Sequence, residues 1–217
     1  MKNDAQLQKD VIAQLDWEPS ILATRIGVAA KDGIVTLSGE VATYTEKWTA
    51  ERVAQRVNGV MALAVDIDVK LAGSSQRSDA DIAESAKNVL DWTTSVPNDS
   101  VKVMVEKGWI TLTGQLEWQY QKQAASHAVR GLLGVVGVSD QVGLRHSPVA
   151  SAVKADIAAA IRREASLDSK EIDVAVSGSE VTLSGHVHSW SERELATNSA
   201  WNSPGVRNVV DKMTLSF

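Results

Sequence analysis

DGIVTLSGEV, residues 32–41, returns twice more, as KGWITLTGQL at 107–116 and as GSEVTLSGHV at 178–187. A glycine-bearing phrase used three times is either a ligand site or a piece of backbone geometry, and its surroundings decide which. Residues 4–71 align with 79–146 and with 150–217 without a gap. Ser20/Ser95/Ser166, Thr36/Thr111/Thr182, Leu37/Leu112/Leu183, Gly39/Gly114/Gly185, Ala50/Ala125/Ala196, Gly59/Gly134/Gly205 and Val60/Val135/Val206 are identical in all three copies. Self-similarity of this kind marks tandem units. Three domains follow, 1–71, 79–146 and 150–217, joined by AGSSQRS (72–78) and SPV (147–149). Both joins are small, polar or proline-bearing, as linkers are.

Periodicity supplies the elements of each copy. Leu7, Val11 and Leu15 recur four apart, as do Ile82, Ala86, Leu90 and Val153, Ile157, Ile161, which lines one face of a helix. Strict alternation comes next, at Ile26, Val28, Ala30, at Val101, Val103, Val105 and at Ile172, Val174, Val176. Period two predicts a strand with one buried face. The repeated phrase is a second such strand, with Val35, Leu37 and Val41 facing inward. KDG, EKG and SGS between the two strands predict tight turns with a glycine at positive φ. Gly39, Gly114 and Gly185 fall on the inward side, which predicts a close backbone approach by a helix.

Capping pairs, Thr43 with Glu46 and Ser189 with Glu192, open a second helix with a small inner face of Ala50, Val53, Ala54 and Val57. Gly59, Gly134 and Gly205 are expected to end it in a left-handed cap. A last alternating strand closes each copy. The reading is an α+β protein of three tandem small α-β-β-α-β domains, each a three-stranded mixed sheet covered on one face by two helices.

V-x-L-x-G-x-V, an alanine-bearing capped helix, G-V and a final alternating strand together resemble the BON domain (bacterial OsmY and nodulation). Val35, Leu37, Gly39, Val41, Ala50, Gly59, Val60 and Val69 carry the resemblance in copy one, with matching sets in the other two. The resemblance implies binding rather than catalysis: a role in osmotic or envelope stress, and attachment to phospholipid membranes or envelope partners. Copy three departs in its turn, where Gly178 and Ser179 replace the order of Asp32 and Gly33.

Composition excludes several other classes. A formal net charge of −5 argues against a general nucleic-acid binder. Without cysteine there is no disulfide framework or catalytic thiol. No run has the length to span a bilayer. The N-terminus lacks the basic start and apolar stretch of a secretory signal, so the expectation is a soluble cytoplasmic chain, or a periplasmic one if this is a processed form.

No histidine shares its column with another, and none sits in a nucleophile elbow, so no enzyme and no cofactor is expected. His186 and His188 share a strand face, a bare pair for a metal site. The glycines match neither a P-loop nor a dinucleotide fingerprint.

Seven tryptophans stand against one phenylalanine and two tyrosines. Trp17 and Trp92 share a column after helix one, where packing at the helix end is expected. Trp48, Trp109, Trp118, Tyr120 and Trp190 fall on outward positions, and Lys47, Lys122 and Arg193 share a column near the start of helix two. This aromatic and basic set is the candidate surface for a phospholipid headgroup or a protein partner. Half-buried contacts between neighbouring domains are the competing account of the aromatics. A ligand or cation held between the tandem domains is the alternative function.

Overall fold

The computed structural model describes residues 3–145, 157, 159–160, 172–203 and 206–216. Domain 1 runs α1 (Asp4–Asp16), β1 (Ile26–Lys31), β2 (Ile34–Val41), α2 (Tyr44–Gln55) and β3 (Ala62–Val69). Domain 2 repeats the order with α3 (Asp79–Trp92), β4 (Val101–Glu106), β5 (Trp109–Leu116), α4 (Gln119–Arg130) and β6 (Gly137–Leu144). In domain 3 the described elements are β7 (Ile172–Ser177), β8 (Glu180–Val187), α5 (Trp190–Trp201) and β9 (Asn208–Leu215). Val153, Ile161, His146, Gly205 and the 147–149 join lie outside the described residues.

DGIVTLSGEV and its two counterparts supply the central strand of each sheet. β2 pairs antiparallel with β1 and parallel with β3, and the other two sheets repeat this in the same register. Its inward residues Val35, Leu37 and Val41 are buried against Leu7, Val11 and Leu15 of α1 and Ala50, Val53 and Ala54 of α2. Each large aliphatic side chain so buried contributes about 1.5–3 kcal/mol. Ala50, Ala125 and Ala196 are fully buried, and their small size lets the second helix lie close on its sheet. Ile157 reaches the third core.

Two turn solutions serve one register. Asp32 and Gly33 have φ of 50 and 76, and Lys107 and Gly108 of 50 and 77. Both central residues are left-handed, as a type I′ hairpin requires. In domain 3 the glycine stands first, Gly178 at φ 61, the place that a type II′ turn reserves for it. Ser177 still pairs with Glu180 as Lys31 does with Ile34. The departure in copy three therefore leaves the hairpin intact.

Three local expectations need correcting. Gly39 and Gly114 do mark close approaches, but the partner is the backbone just before the neighbouring strand, in domain 1 the last residue of a short 3-10 turn (Ala23–Arg25), and not one of the covering helices. A Cβ on Gly39 would stand 2.1 Å from the Arg25 carbonyl oxygen, and one on Gly114 2.2 Å from that of Ser100. Their φ values are 131 and 140, and Gly185 has 112. Gly59 and Gly134 do not cap the second helix. α2 already ends at Arg56 with right-handed backbone, and Gly59, at φ 104, lies in the following turn closed by Val60 N–H to the Val57 carbonyl. The capping pairs are also shifted by one residue. Thr43 Oγ1 accepts from Glu46 N–H as expected, but the Glu46 carboxylate takes the N–H of Ala42 and of Leu22 instead of that of Thr43. Glu192 likewise takes the N–H of His188. No helix among the described residues is long and apolar enough to cross a membrane.

Candidate functional site

The basic column near the start of helix two is tied down within each domain. Lys47 Nζ donates to the Ile67 carbonyl at 2.8 Å, and Lys122 Nζ to the equivalent Val142 carbonyl at 2.8 Å. Lys122 also lies 3.6 Å from Asp140, and Arg193 Nε donates to Asp211 at 2.6 Å. A long cation on the helix thus reaches the last strand in all three copies and latches the two together. Its apolar stem packs while its head finds an acceptor. These cations are not free headgroup ligands in this arrangement.

The second helices carry the contacts between domains, and the contacts run head to tail. Tyr44 of domain 1 packs, half-buried, on the core of domain 2, and burial pushes its hydroxyl above its usual range, against the opposing effect of a backbone hydrogen bond at Val138. Thr45 Oγ1 donates to the Arg130 carbonyl at 3.4 Å. Trp48 has two guanidiniums over its ring, Arg130 at 3.9 Å and Arg52 at 5.4 Å from the ring centre, a cation–π contact. Burial first, then Arg52, holds Arg130 below its ordinary value, against the pull of Tyr44 and Glu51. Gln123 of domain 2 meets Asn198 of domain 3 at 3.5 Å.

Domain 3 then returns to domain 1. Arg52 Nη2 lies 2.7 Å from both carboxylate oxygens of Glu194, and the Trp190 indole N–H donates to the Val60 carbonyl at 2.9 Å. Trp48, Gln123 and Glu194 are one column, and Arg52 and Asn198 belong to another. The column of Trp48 therefore faces the next domain at each seam, and the head-to-tail contacts close into a ring.

Of the candidate aromatics, Trp48 and Trp190 are drawn into these seams. Trp109, Trp118 and Tyr120 stay outside. Trp109 lies across Gly137 of the neighbouring strand and donates to Ser139 Oγ at 2.9 Å. Trp118 stands at the N-cap of α4, and Tyr120 is about half exposed. The indoles that sequence reasoning assigned to packing are the most open of all: Trp17 is 83% and Trp92 87% exposed. Their position just at the helix end suggested burial, but the chain leaves each helix there and no described residue covers the ring. Their shared column was the signal that could have singled them out. His186 and His188 are both exposed, and His188 Nδ1 lies 3.1 Å from the Ser216 carbonyl. Among the described residues no three metal-binding side chains come together.

The 1–3 seam encloses a cleft of about 220 Å³, lined by Arg52, Arg56, Trp190, Arg193, Glu194 and Asp211 among others. Such a cleft can hold a small polar molecule between two domains.

Comparison with known proteins agrees with the threefold repeat. The BON domain family model matches residues 3–70, 78–145 and 150–216. Osmotically-inducible protein Y of Escherichia coli (strain K12) is 29% identical over 144 residues, 64% of this chain and 72% of that protein. CdsD, a structural protein of the type III secretion system of Chlamydia trachomatis, shows 11% identity over 97% of this chain and 92% of its own, with a TM-score of 0.25. The PrgH periplasmic domain shows 13% identity over 89% and 96%, with a TM-score of 0.22.

Proposed function

The chain belongs to the BON domain family, and from that premise we propose that it is a non-enzymatic binding protein of osmotic or envelope stress. Its partner in this reading is a phospholipid surface, engaged through outward indoles. One observation supports it most: Trp17 and Trp92, equivalent in domains 1 and 2, keep over four-fifths of their surface in water. A tryptophan combines an apolar ring with a wet N–H, the combination that suits the headgroup layer. A head-to-tail ring sets equivalent positions on the same side, so one flat surface reaches both. Trp109, Trp118 and Tyr120 extend the aromatic surface of domain 2. The similarity to Osmotically-inducible protein Y supports the stress role. An envelope location goes with it, and the cytoplasmic expectation finds no support there.

Vesicle sedimentation tests the reading. Vesicles of phosphatidylcholine with phosphatidylglycerol are expected to carry down the wild-type chain, and Trp17→Ala with Trp92→Ala to lose most of that binding. A Trp118→Ala, Tyr120→Ala pair is expected to lose less. Wild-type protein that stays in the supernatant at low salt, or a Trp17/Trp92 pair that binds as well as wild type, rejects the reading.

A second reading, a ligand held between domains, is favoured by the cleft at the 1–3 seam. Closure of the ring is its structural requirement.

A further inference from the structure

The column of Trp48, Gln123 and Glu194 faces the next domain at all three seams, and its partners differ: Arg130 at the first, Asn198 and Arg52 (one column) at the other two. Where domain 1 meets domain 2 the key position is Trp48, whose ring occupies the space beside Arg130. Where domain 2 meets domain 3 it is Gln123, facing Asn198 in an uncharged amide pair. Where domain 3 meets domain 1 it is Glu194, and there the seam opens into the cleft. That seam joins the two domains most distant in sequence, so its closure depends wholly on non-covalent contacts.

The cleft has more donors than acceptors. Three guanidiniums, Arg52, Arg56 and Arg193, face two carboxylates, Glu194 and Asp211. Each carboxylate is already engaged, Glu194 by Arg52 Nη2 and Asp211 by Arg193 Nε. Arg52 Nε is buried without a hydrogen-bond partner. Arg56 forms no ion pair with any described residue, although Glu18 feels its charge. Arg193 stands over the Trp190 ring, 5.1 Å from its centre, so the aromatic wall steadies its fork.

We propose that this cleft binds a phosphate-class anion, held by Arg56 with Arg52 and Arg193, and that the anion fastens domain 3 to domain 1. Guanidinium forks match phosphate oxygens in pairs, and a partly desolvated cleft with one unmatched positive charge attracts an anion. The carboxylates position the arginines and leave that charge standing. A ligand held only by the closed seam stabilises closure by mass action. The proposal rests on the second reading above and names the ligand chemistry of that cleft. A free phosphate and the phosphomonoester headgroup of a lipid share this chemistry.

The test uses the full chain with 15N-labelled tryptophan at constant low ionic strength. Inorganic phosphate is expected to shift the Trp190 indole N–H resonance saturably. Arg56→Glu is expected to weaken the effect about tenfold or more, the loss of one charge-assisted contact. Lys9→Glu, the same charge change on the exposed side of α1, is expected to leave it unaltered.

Vesicles of phosphatidylcholine with and without phosphatidic acid form the second arm. A response to phosphatidic acid alone, abolished by Arg56→Glu, supports the site and assigns the lipid source; a response to free phosphate supports it and assigns the soluble one. Silence at Trp190 with both probes, or a shift that Arg56→Glu leaves intact, overturns the proposal. Small-angle scattering on the same sample separates the two ways to fail. An open ring rejects the inter-domain reading itself, whereas a closed ring that ignores both probes rejects the anion site alone.

Discussion

Gly114→Ala is the sharpest test of whether the repeated phrase is architecture. The new Cβ would stand 2.2 Å from the Ser100 carbonyl oxygen and 3.2 Å from the Ser100 carbonyl carbon and Val101 Cα. Ordinary contact needs about 3.5 Å, so the two strands must part by roughly 1 Å. The same carbonyl accepts the Gln115 N–H at 3.3 Å, and parting the strands loses that bond and strains the Val101–Gly114 pair. Each lost bond costs about 1 kcal/mol. A backbone at φ 140 adds about 1–3 kcal/mol for a residue with a side chain. The sum is about 2–4 kcal/mol, against about 3–10 kcal/mol for a whole domain of this length.

Native-state hydrogen exchange reads the loss domain by domain. Protection in β4–β6 is expected to collapse, while β1–β3 keeps most of its own. Gly131→Ala is the control in the same domain, because its Cβ meets nothing within 4 Å and its φ is −87. It is expected to be neutral or slightly stabilising. A Gly114→Ala protein as stable as Gly131→Ala would refute the argument from the close carbonyl. A ligand loop would behave differently, losing binding without losing the sheet.

Three further expectations follow from the seams and latches. Lys122→Met, which keeps the stem and removes the ammonium, is expected to destabilise domain 2 by about 1–2 kcal/mol, because the Val142 carbonyl loses that donor and Asp140, still held by Ser126 Oγ and the Val142 N–H, loses its cation; urea unfolding measures it, and no loss rejects the latch. Arg52 and Glu194 are 30% and 43% exposed, so a double-mutant cycle on thermal stability is expected to give a coupling of only about 0.5 kcal/mol that fades with salt. A salt-independent coupling would contradict a solvent-screened pair. Burial raises the Glu51 carboxyl above its usual range, with Lys47 and Arg130 pulling the other way. A raised acid binds its proton more tightly in the folded chain, so its charge costs stability above the raised value and the cost vanishes as pH falls to the unfolded value. Glu51→Gln is thus expected to raise the melting temperature at neutral pH and to lose that advantage under acid. An advantage that grows on acidification refutes the sign.

Much of the fold was legible because it is local and repeated. Alternation at Val35, Leu37 and Val41 allows only one face to be buried, and three copies in one order leave one topology. The move of the glycine from the second turn position to the first was also visible, at Gly178, but not that the hairpin survives it. Misreadings arose where a partner is distant in sequence. Periodicity places Gly39 inward without saying that Arg25 is what crowds it. Trp17 and Trp92 occupy a helix end that looks packed, yet burial depends on what crosses above, and no described residue does.

The sequence by itself determined the three domains, their strand order and the inward face of each element, since hydrophobic periodicity and turn chemistry act over a few residues. Only the tertiary structure decided which side chains remain available to a partner. Lys47, Lys122 and Arg193 look alike on the sequence as exposed cations, and each ends on its own last strand. Trp48 and Trp190 look free and lie in seams. Arg52, Arg56 and Glu194 acquire meaning together only because domain 3 folds back on domain 1. Availability is the outcome of competition among all groups that can reach a given donor, and that competition exists only once distant parts of the chain have met.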